Sequence, residues 1–284
     1  MEEEFKGKLA VLASAAVWGF SGIALRKLYD HGLNVPTILF ILCVSVVFIM
    51  LIFFKKIDFR PSKKELKLIF YFTVFGNISA ALLFYAFKFT KIGTAEFLHY
   101  TMPAWAFIIA VFLLKEKIGK WRVLALIVSL MGIALVFDIK SFTDMRNITN
   151  LGNMLAFASA FSYAAQISVS RKIKSNSYTV NFWDFFISIF ILAPWFFFNN
   201  SISSPANIFY IFIFAAIFSI APMLLYIYGT KKIEVTKSSI LMLFEAVVAV
   251  LAASVILKEF LGIQNIIGGI LILISSAILI VKKK

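Results

Sequence analysis

Residues 235–262, VTKSSILMLFEAVVAVLAASVILKEFLG, contain the pattern that decides the fold of this chain. The stretch between Lys237 and Lys258 carries a single charged side chain, Glu245, and is otherwise almost wholly apolar. A helix needs about 20 mostly apolar residues to cross the ~30 Å hydrocarbon core of a bilayer. The segment is therefore predicted to span a membrane as a helix, with one carboxylate near its centre.

Nine further segments of similar length and composition occur in the chain, separated by short breaks rich in Lys, Asn, Ser, Pro or Gly. Of the 284 residues, 62% are hydrophobic and only 15% are charged, whereas soluble domains carry about 25% charged residues. So few polar side chains would not cover the surface of a soluble globule, and we expect an all-α integral membrane protein. The ten predicted spans are 8–28, 36–54, 66–87, 92–114, 121–138, 151–170, 178–198, 206–229, 235–257 and 262–281.

The basic residues are distributed unevenly between the two sides that ten spans define. With the amino terminus inside, three quarters of the 28 lysines and arginines fall on the inner side. This bias follows the positive-inside rule, so we expect a multi-pass protein of a prokaryotic plasma membrane with both termini cytoplasmic. Topology thereby explains the net charge of +14, and no nucleic-acid partner is expected. The first span is expected to stay as a helix, because Glu2–Glu4 precede an apolar run too long for a signal peptide.

Neither a metal centre nor a cofactor site is expected from the residue types available. Cys43 is the one cysteine, and His31 and His99 are the two histidines, too few for a cysteine-based or imidazole-rich metal site. The chain has no GxxxxGK[ST] motif for ATP. A membrane enzyme acting on lipid would need an interfacial cluster of His, Asp or Cys, which the sequence does not show, so an enzymatic role is not expected.

A short pattern repeats in the two halves of the chain. Residues 114–119, LKEKIG, correspond to residues 257–262, LKEFLG, and both follow the fourth span of a set of five. Because five is odd, the second set must enter the membrane from the opposite side, which predicts two inverted repeats, 1–146 and 147–284, around a central cavity. Inverted repeats recur in secondary transporters, whose substrate site lies near the bilayer midplane. The alternative is chance similarity between hydrophobic helices.

The chain resembles the drug/metabolite transporter superfamily, specifically its ten-helix EamA-like permeases. The resemblance is carried by Trp18-Gly19, by Tyr100-Thr101-Met102-Pro103 with the first LKExxG pattern, and by Phe244-Glu245-Ala246 with the second. It implies a central cavity lined by spans 1, 3, 4, 6, 8 and 9. Ala246 stands where members of this family often carry proline, which argues against a kink there.

Ionisable groups inside membrane spans are costly and usually face a cavity or a partner. Glu245 therefore either lines the transport path, which we favour and which would suit proton coupling, or pairs with a group on another helix. Glu96, His99 and Pro103 are three and four residues apart and share one helix face. They form either a titratable relay, since histidine changes charge near neutral pH, or a local Glu–His pair beside a structural proline.

The remaining candidates are neutral groups or lie near span ends. Asp184 in span seven is assigned to an interfacial or helix-packing role rather than to substrate contact, because the resemblance makes that helix peripheral. The other candidate site residues are of two kinds. Some are neutral hydrogen-bonding groups and aromatic rings that would contact a substrate, and two are carboxylates assigned mainly to helix ends. The neutral and aromatic candidates are Asn77, Tyr163, Gln166, Trp18 and Tyr100, and the helix-end carboxylates are Glu116 and Glu259.

The charge pattern inside the spans narrows the function. No lysine or arginine lies near the midplane, where a carrier of phosphates or nucleotide sugars would hold its anion. The leading hypothesis is a secondary transporter that moves a small organic metabolite, such as an amino acid or amine, by alternating access. Export is the usual direction in the resembling family, and the driving force is either protons, through Glu245 or the Glu96/His99 face, or the substrate gradient alone. The alternative is a non-transporting membrane receptor or assembly subunit, with its oligomeric state undetermined.

Overall fold

A computed structural model describes residues 2–90, 92–115, 119–136, 148–202, 204–256 and 262–281. All regular secondary structure in these ranges is helical. Glu116, Glu259 and the expected boundary between residues 146 and 147 lie outside the described residues.

The helices are named in chain order. A 3₁₀ turn, Leu51–Lys56, follows the third helix, and a π-helical turn, Ala216–Ile220, joins the tenth to the eleventh. The helices are α1 (Glu2–Trp18), α2 (Ser21–Asp30), α3 (Val35–Met50), α4 (Lys63–Phe89), α5 (Ile92–His99), α6 (Met102–Phe112), α7 (Lys120–Val136), α8 (Ile148–Ser170), α9 (Ser177–Asn199), α10 (Pro205–Ala215), α11 (Ala221–Lys232), α12 (Val235–Met242), α13 (Phe244–Ile256) and α14 (Ile263–Val281).

Six helical stretches among the described residues are long and apolar enough to cross a membrane. The remaining predicted spans correspond to α5 with α6, to α7, to α8 and to α14. A multi-pass helical membrane protein is therefore confirmed, while the number ten stays a prediction. The six stretches are Glu2–Asp30, Val35–Lys56, Lys63–Phe87, Ser177–Asn199, Pro205–Lys232 and Val235–Ile256.

Polar residues in the predicted breaks begin several of the helices. The side chain of Asn34 accepts a hydrogen bond from the Thr37 amide at the start of α3 (3.1 Å). Asn176 does the same for the Thr179 amide in α9 (2.9 Å). Such caps satisfy backbone donors that have no partner inside the helix, so the polar breaks determine where these helices begin.

Helices of the first half pack mainly against helices of the second half. The principal contacts are α4 with α8, α1 with α11, α3 with α9, and α7 with α14. Contacts of α6 with α8 and of α13 with α1 form a further equivalent pair. This reciprocal pattern supports the proposed pair of repeats, and it places an interface between the halves through the centre of the bundle.

Three of the helical stretches are interrupted near the middle of the bundle. The first breaks at Gly19 and Phe20, the second at Tyr100 and Thr101, and the third at Leu243. Tyr100 and Leu243 are separated by the same 143 residues as the two LKExxG patterns, so the last two interruptions are equivalent in the two halves.

The helix is interrupted at Leu243, three residues before Ala246, although the missing proline argued against a kink there. The turn between α12 and α13 is tightened by backbone hydrogen bonds that span three residues and need no proline. The Leu243 amide donates to the Ile240 carbonyl oxygen (3.1 Å), and the Ala246 amide donates to the Leu243 carbonyl oxygen (3.0 Å). A Cβ atom on Gly19 would lie 2.9 Å from the Glu245 carbonyl oxygen. The interrupted α1–α2 stretch therefore approaches this turn very closely, at a position that needs glycine.

Candidate functional site

A cavity of about 290 Å³ lies between the two halves of the protein. Its size approaches the usual range of small-molecule sites. The six spans implied by the resemblance all contribute to its wall, and so do α3 and α9, which the resemblance did not include. Among the sequence candidates, its lining includes Trp18, Asn77, His99, Tyr163, Gln166 and Glu245.

Glu245 lies in the first turn of α13, directly after the interruption at Leu243. It faces the cavity and is also hydrogen-bonded to the Tyr100 side chain, which lies behind the wall. The interruption that starts α13 places this carboxylate at a helix N-terminus, where the helix dipole favours negative charge. Glu245 therefore lines the cavity and pairs with another helix in one conformation, while its expected part in the transport path stays a prediction.

His99, at the end of α5, lines the cavity beside Ser159. Its Nδ1 lies 2.8 Å from the Ser159 hydroxyl, which itself donates to the Ala156 carbonyl oxygen (2.6 Å). The Ser159 oxygen therefore accepts a hydrogen bond from Nδ1–H, so Nε2 of neutral His99 is left as an acceptor. Glu96, one turn before His99, is half-buried and lies close enough to influence Glu245 electrostatically.

Pro103 is a buried residue in the first turn of α6. Proline is well tolerated at this point of a helix because the first turn has no backbone bond to lose. Its position directly after the Tyr100–Thr101 interruption agrees with a structural role, while its expected part in gating stays a prediction.

An aromatic chain runs along one wall of the cavity. The Trp18 and Tyr226 ring centroids lie 5.4 Å apart, and the Tyr226 and Tyr163 rings are nearly parallel at 6.1 Å. His99 continues the chain, 5.4 Å from Tyr163. The Trp18 indole is held in place because it donates to the Phe218 carbonyl oxygen (2.8 Å). Tyr226 was missed in the sequence, where it is one of nine tyrosines with no distinguishing neighbour.

The packing role assigned to Asp184 needs correction. Its helix, α9, packs against α3, α4 and α11 and is not peripheral. Asp184 is buried, and with Ser188 one turn later it contributes to the cavity wall. The signal was present in the sequence, since a carboxylate inside a span is a candidate site, but the assumed position of the helix overrode it.

Gly76 and Gln166 meet where α4 packs on α8. The Gln166 amide nitrogen occupies the space that a Cβ atom on residue 76 would take. Gln166 is almost fully buried, and it lines the cavity. The absence of a side chain at Gly76 therefore lets this amide reach the cavity.

One end of the bundle, called here the N-terminal face, holds a network of ion pairs. Arg122 of α7 lies 2.6 Å from Glu234, which precedes α12, and Lys237 bridges Glu234 (2.9 Å) and Glu4 of α1 (2.7 Å). Burial opposes the charge of Glu234, but hydrogen bonds and attraction from Lys237 and Arg122 hold its pKa below the ordinary value. The pairs of Arg122 with Glu234 and of Lys237 with Glu4 join the first half to the second.

Connections at the same face are held by backbone contacts as well. The Glu65 carboxylate at the start of α4 accepts hydrogen bonds from the Lys174 and Ser175 amides (2.9 and 2.8 Å). Arg171 donates to the Ile233 carbonyl oxygen (2.5 Å). In the described part of the chain, hydrogen bonds and ion pairs thus join several of the connections that meet at the N-terminal face.

Comparison with known proteins identifies relatives among transporters. Part of the chain is 34% identical over 151 residues to the riboflavin transporter ImpX of Fusobacterium nucleatum, covering 49% of each chain. Another match, 24% identical over 137 residues, is to YoaV of Bacillus subtilis, named as an uncharacterized transporter, and covers 46% of each chain. The chain thus spans about half the length of the curated relatives it matches.

A solved crystal structure shares the fold over nearly the whole chain. Its TM-score is 0.78 at 15% sequence identity, with 96% of this chain and 95% of that chain covered. The model of the EamA-like transporter family matches residues 5–138 and 150–281, one match in each half. The chain belongs to the EamA-like transporter family.

Proposed function

We propose that this membrane transporter is a secondary transporter that moves a small organic metabolite by alternating access. The observation that carries the proposal is a cavity between the two halves that contains two carboxylates, Glu245 and Asp184. Ion pairs join the same two halves at the N-terminal face. Such a cavity between repeats is where secondary transporters bind their substrates.

The position of the lining residues supports a conformation that is closed at the N-terminal face. Phe84 lies near the end of α4 remote from that face, and Leu39 lies near the remote end of α3. Access from the N-terminal face requires the pairs of Arg122 with Glu234 and of Lys237 with Glu4 to separate. With the N-terminal face cytoplasmic, as the basic residues predict, the cavity in this conformation lies toward the outside, and loading from the cytoplasm would give export.

The chemistry of the wall favours a substrate with a positive or hydrogen-bond-donating group. The described cavity lining contains Glu245 and Asp184 but no lysine or arginine. An amine or amino acid would place its ammonium group against a carboxylate and its apolar part against Trp18 or Tyr163. Charge-assisted bonds of this kind are about twice as strong as neutral ones, which makes this our first substrate class.

A second substrate class is a flat heteroaromatic compound such as a flavin. The observation that favours it is the chain of rings from Trp18 through Tyr226 and Tyr163 to His99, which offers flat surfaces for stacking. Amide groups of Asn77 and Gln166 would bind the polar edge of such a ring. The relative named as a riboflavin transporter supports including this class.

Coupling to protons is proposed through Glu245. This carboxylate faces the cavity, bonds to Tyr100 and lies in the field of Glu96, so a proton bound there would change the charge that the substrate meets. His99 is a second proton acceptor on the same wall, through its Nε2. A transporter of this design would exchange protons against its substrate.

Counterflow in liposomes tests the proposal. The purified chain is reconstituted, loaded with an unlabelled amino acid, polyamine or riboflavin, and assayed for uptake of the labelled compound with and without a pH gradient. We expect saturable counterflow for one class, accelerated by the gradient, and loss of that acceleration in Glu245→Gln. Glu2→Gln, an exposed carboxylate at the N-terminal face, is the matched control. No saturable counterflow of any of these compounds would favour a receptor or assembly subunit.

A further inference from the structure

We infer that Asp184 and the polar side chains around it form a second binding site in the cavity wall, for a singly charged cation. The site lies between α4 and α9, apart from the Glu245 site on α13. The cation is supplied either as Na⁺ from the solvent or as an ammonium group of the substrate. The inference deepens the proposed transport function and rests on it for its purpose, because it adds a coupling ion or a second point of substrate contact.

Two columns of polar side chains face each other across the packed helices α4 and α9. Thr73 and Asn77 are one turn apart on α4, and Asn181, Asp184 and Ser188 follow at spacings of three and four on α9. The Asn77 amide donates to the Ser188 hydroxyl (2.7 Å), which itself donates to the Asp184 carbonyl oxygen (2.8 Å). These bonds hold the two helices in register beside the cavity.

The deeper end of the columns, toward the N-terminal face, is unsatisfied. Thr73 and Asn181 are both 0% exposed, and neither the Thr73 hydroxyl nor the Asn181 amide has a hydrogen-bond partner among the described residues. The Thr73 hydroxyl lies close to the Asp184 carboxylate. Buried polar groups are almost always paired, so these two point to a ligand that shares the pocket with Asp184.

The donor set favours a single positive charge. Asp184 supplies one negative charge, and the hydroxyl of Thr73 and the amide oxygen of Asn181 are neutral oxygen ligands. No group of three or more His, Cys, Asp or Glu suited to a metal ion occurs among the described residues, whereas divalent cations such as Ca²⁺ usually need several carboxylates. A carboxylate this deep in the membrane is costly when it has no partner, and a monovalent cation removes that cost.

The Glu245 site has different neighbours and so serves a separate ligand. Its carboxylate bonds to Tyr100 and feels Glu96, both on the opposite half of the bundle from α9. Two carboxylates on different helices of one cavity allow a cation at Asp184 and a substrate or proton at Glu245 to be bound together.

Cation-dependent unfolding of the purified full chain tests the site. NaCl or ethylammonium chloride is titrated against N-methyl-D-glucamine chloride at constant ionic strength, and the unfolding midpoint is followed. We expect the midpoint to rise with one of the two cations and the apparent Kd to increase about tenfold or more in Asp184→Asn. Asp58→Asn, which removes an exposed carboxylate outside the cavity, should leave the Kd unchanged.

The outcomes separate the sources of the cation and the two proposals. A response to Na⁺ that Asp184→Asn weakens supports a solvent ion, and a response to ethylammonium alone that it weakens supports a substrate ammonium group. The proposed cation site is overturned if neither cation raises the unfolding midpoint, or if the rise is unchanged in Asp184→Asn. It is also overturned if the rise is lost only in Glu245→Gln. If Asp184→Asn does not fold, Thr73→Val is used in its place, because it removes one oxygen at nearly constant volume. It should weaken the response to the cation in the same way. The unfolding assay measures cation binding without transport. Failure of the cation site would therefore not affect the counterflow test of transport, and failure of counterflow would not affect the binding test.

Discussion

Arg122 and Glu234 lie 2.6 Å apart and join α7 of the first half to the segment before α12 of the second half. The Arg122 side chain is only 7% exposed, and that of Glu234 is 25% exposed. Breaking a pair that is largely removed from water costs more than breaking a surface pair, because the remaining charge keeps its burial without its partner. This ion pair is therefore the best single candidate for a bond that holds the N-terminal face closed.

Arg122→Ala should open the N-terminal face and lower stability by about 2 kcal/mol, since a partly buried charged hydrogen bond is lost. The measurement is the thermal unfolding midpoint, together with the labelling rate of a cysteine introduced at Ser170 in a Cys43→Ser background. Arg60→Ala, an exposed arginine in the connection before α4, is the control and should change neither. Equal labelling in the wild type and Arg122→Ala would show that the pair does not hold this face closed.

The stability supplied by Glu234 should depend on pH in a defined direction. Its pKa in the folded protein lies below the ordinary value of 4.5, so its contribution is complete above that value and is lost as the pH falls through the lowered one. The difference in unfolding midpoint between the wild type and Glu234→Gln should be constant from pH 7 to about pH 5 and then shrink. A difference that grows on acidification would contradict the assigned pairing.

Tyr100→Phe should weaken the pH-gradient effect on counterflow without abolishing transport. The variant removes the hydroxyl bonded to the Glu245 carboxylate but keeps the ring that packs in the buried core. Loss of a hydrogen bond to a charged group changes an equilibrium by about tenfold or more, so the midpoint of the pH dependence should shift. Tyr85→Phe, whose ring lies beside Trp195 on α9, is the matched control; an unchanged midpoint in Tyr100→Phe would remove the hydroxyl from the coupling site.

Gly76→Ala should impair substrate binding more than folding. The added Cβ atom takes the place of the Gln166 amide nitrogen, which ends a flexible side chain and so moves at modest cost. We expect the half-saturation constant for counterflow to rise by about tenfold, as for one lost polar contact. Gly22→Ala, with its Cβ 3.8 Å from the nearest atom, is the control, and Gln166→Asn in the Gly76→Ala background should partly restore binding because it shortens the displaced side chain.

Gly229→Ala should destabilise the packing of α1 on α11. A Cβ atom there would lie 2.7 Å from the Gly7 carbonyl oxygen, so backbone must move, and overpacking of this kind costs about 1–3 kcal/mol. Gly269→Ala in α14 is the control, because its Cβ would lie at an ordinary 3.9 Å from Val247. Equal unfolding midpoints for the two variants would show that α1 and α11 do not need this close approach.

Several features of the site were predictable from the sequence because they depend on composition or on local chemistry. The apolar runs predicted membrane helices, the short polar breaks predicted where the helices are separated, and Glu245 stood out as a charge inside an apolar span. The repeated LKExxG pattern and the family resemblance also led to the cavity between the halves.

Other features could not be predicted, because the helices are apolar on nearly every side. In water an apolar stripe marks the buried face of a helix, but in lipid the outward face is equally apolar, so the sequence does not show which residues turn inward. Tyr226 was overlooked for this reason, and Asp184 was misplaced because the resemblance implied a peripheral position for its helix. Their positions on the cavity wall are a consequence of how α9 and α11 rotate against their neighbours.

The sequence by itself thus determined that this protein lies in a lipid bilayer, that it is helical, and that a carboxylate lies at the centre of residues 235–262. Only the tertiary structure decided that this carboxylate follows an interruption at Leu243, bonds to Tyr100 and shares a cavity with Asp184. The physical reason is that composition selects the environment of a helix, whereas packing between helices of the two halves selects its orientation and the points where it breaks.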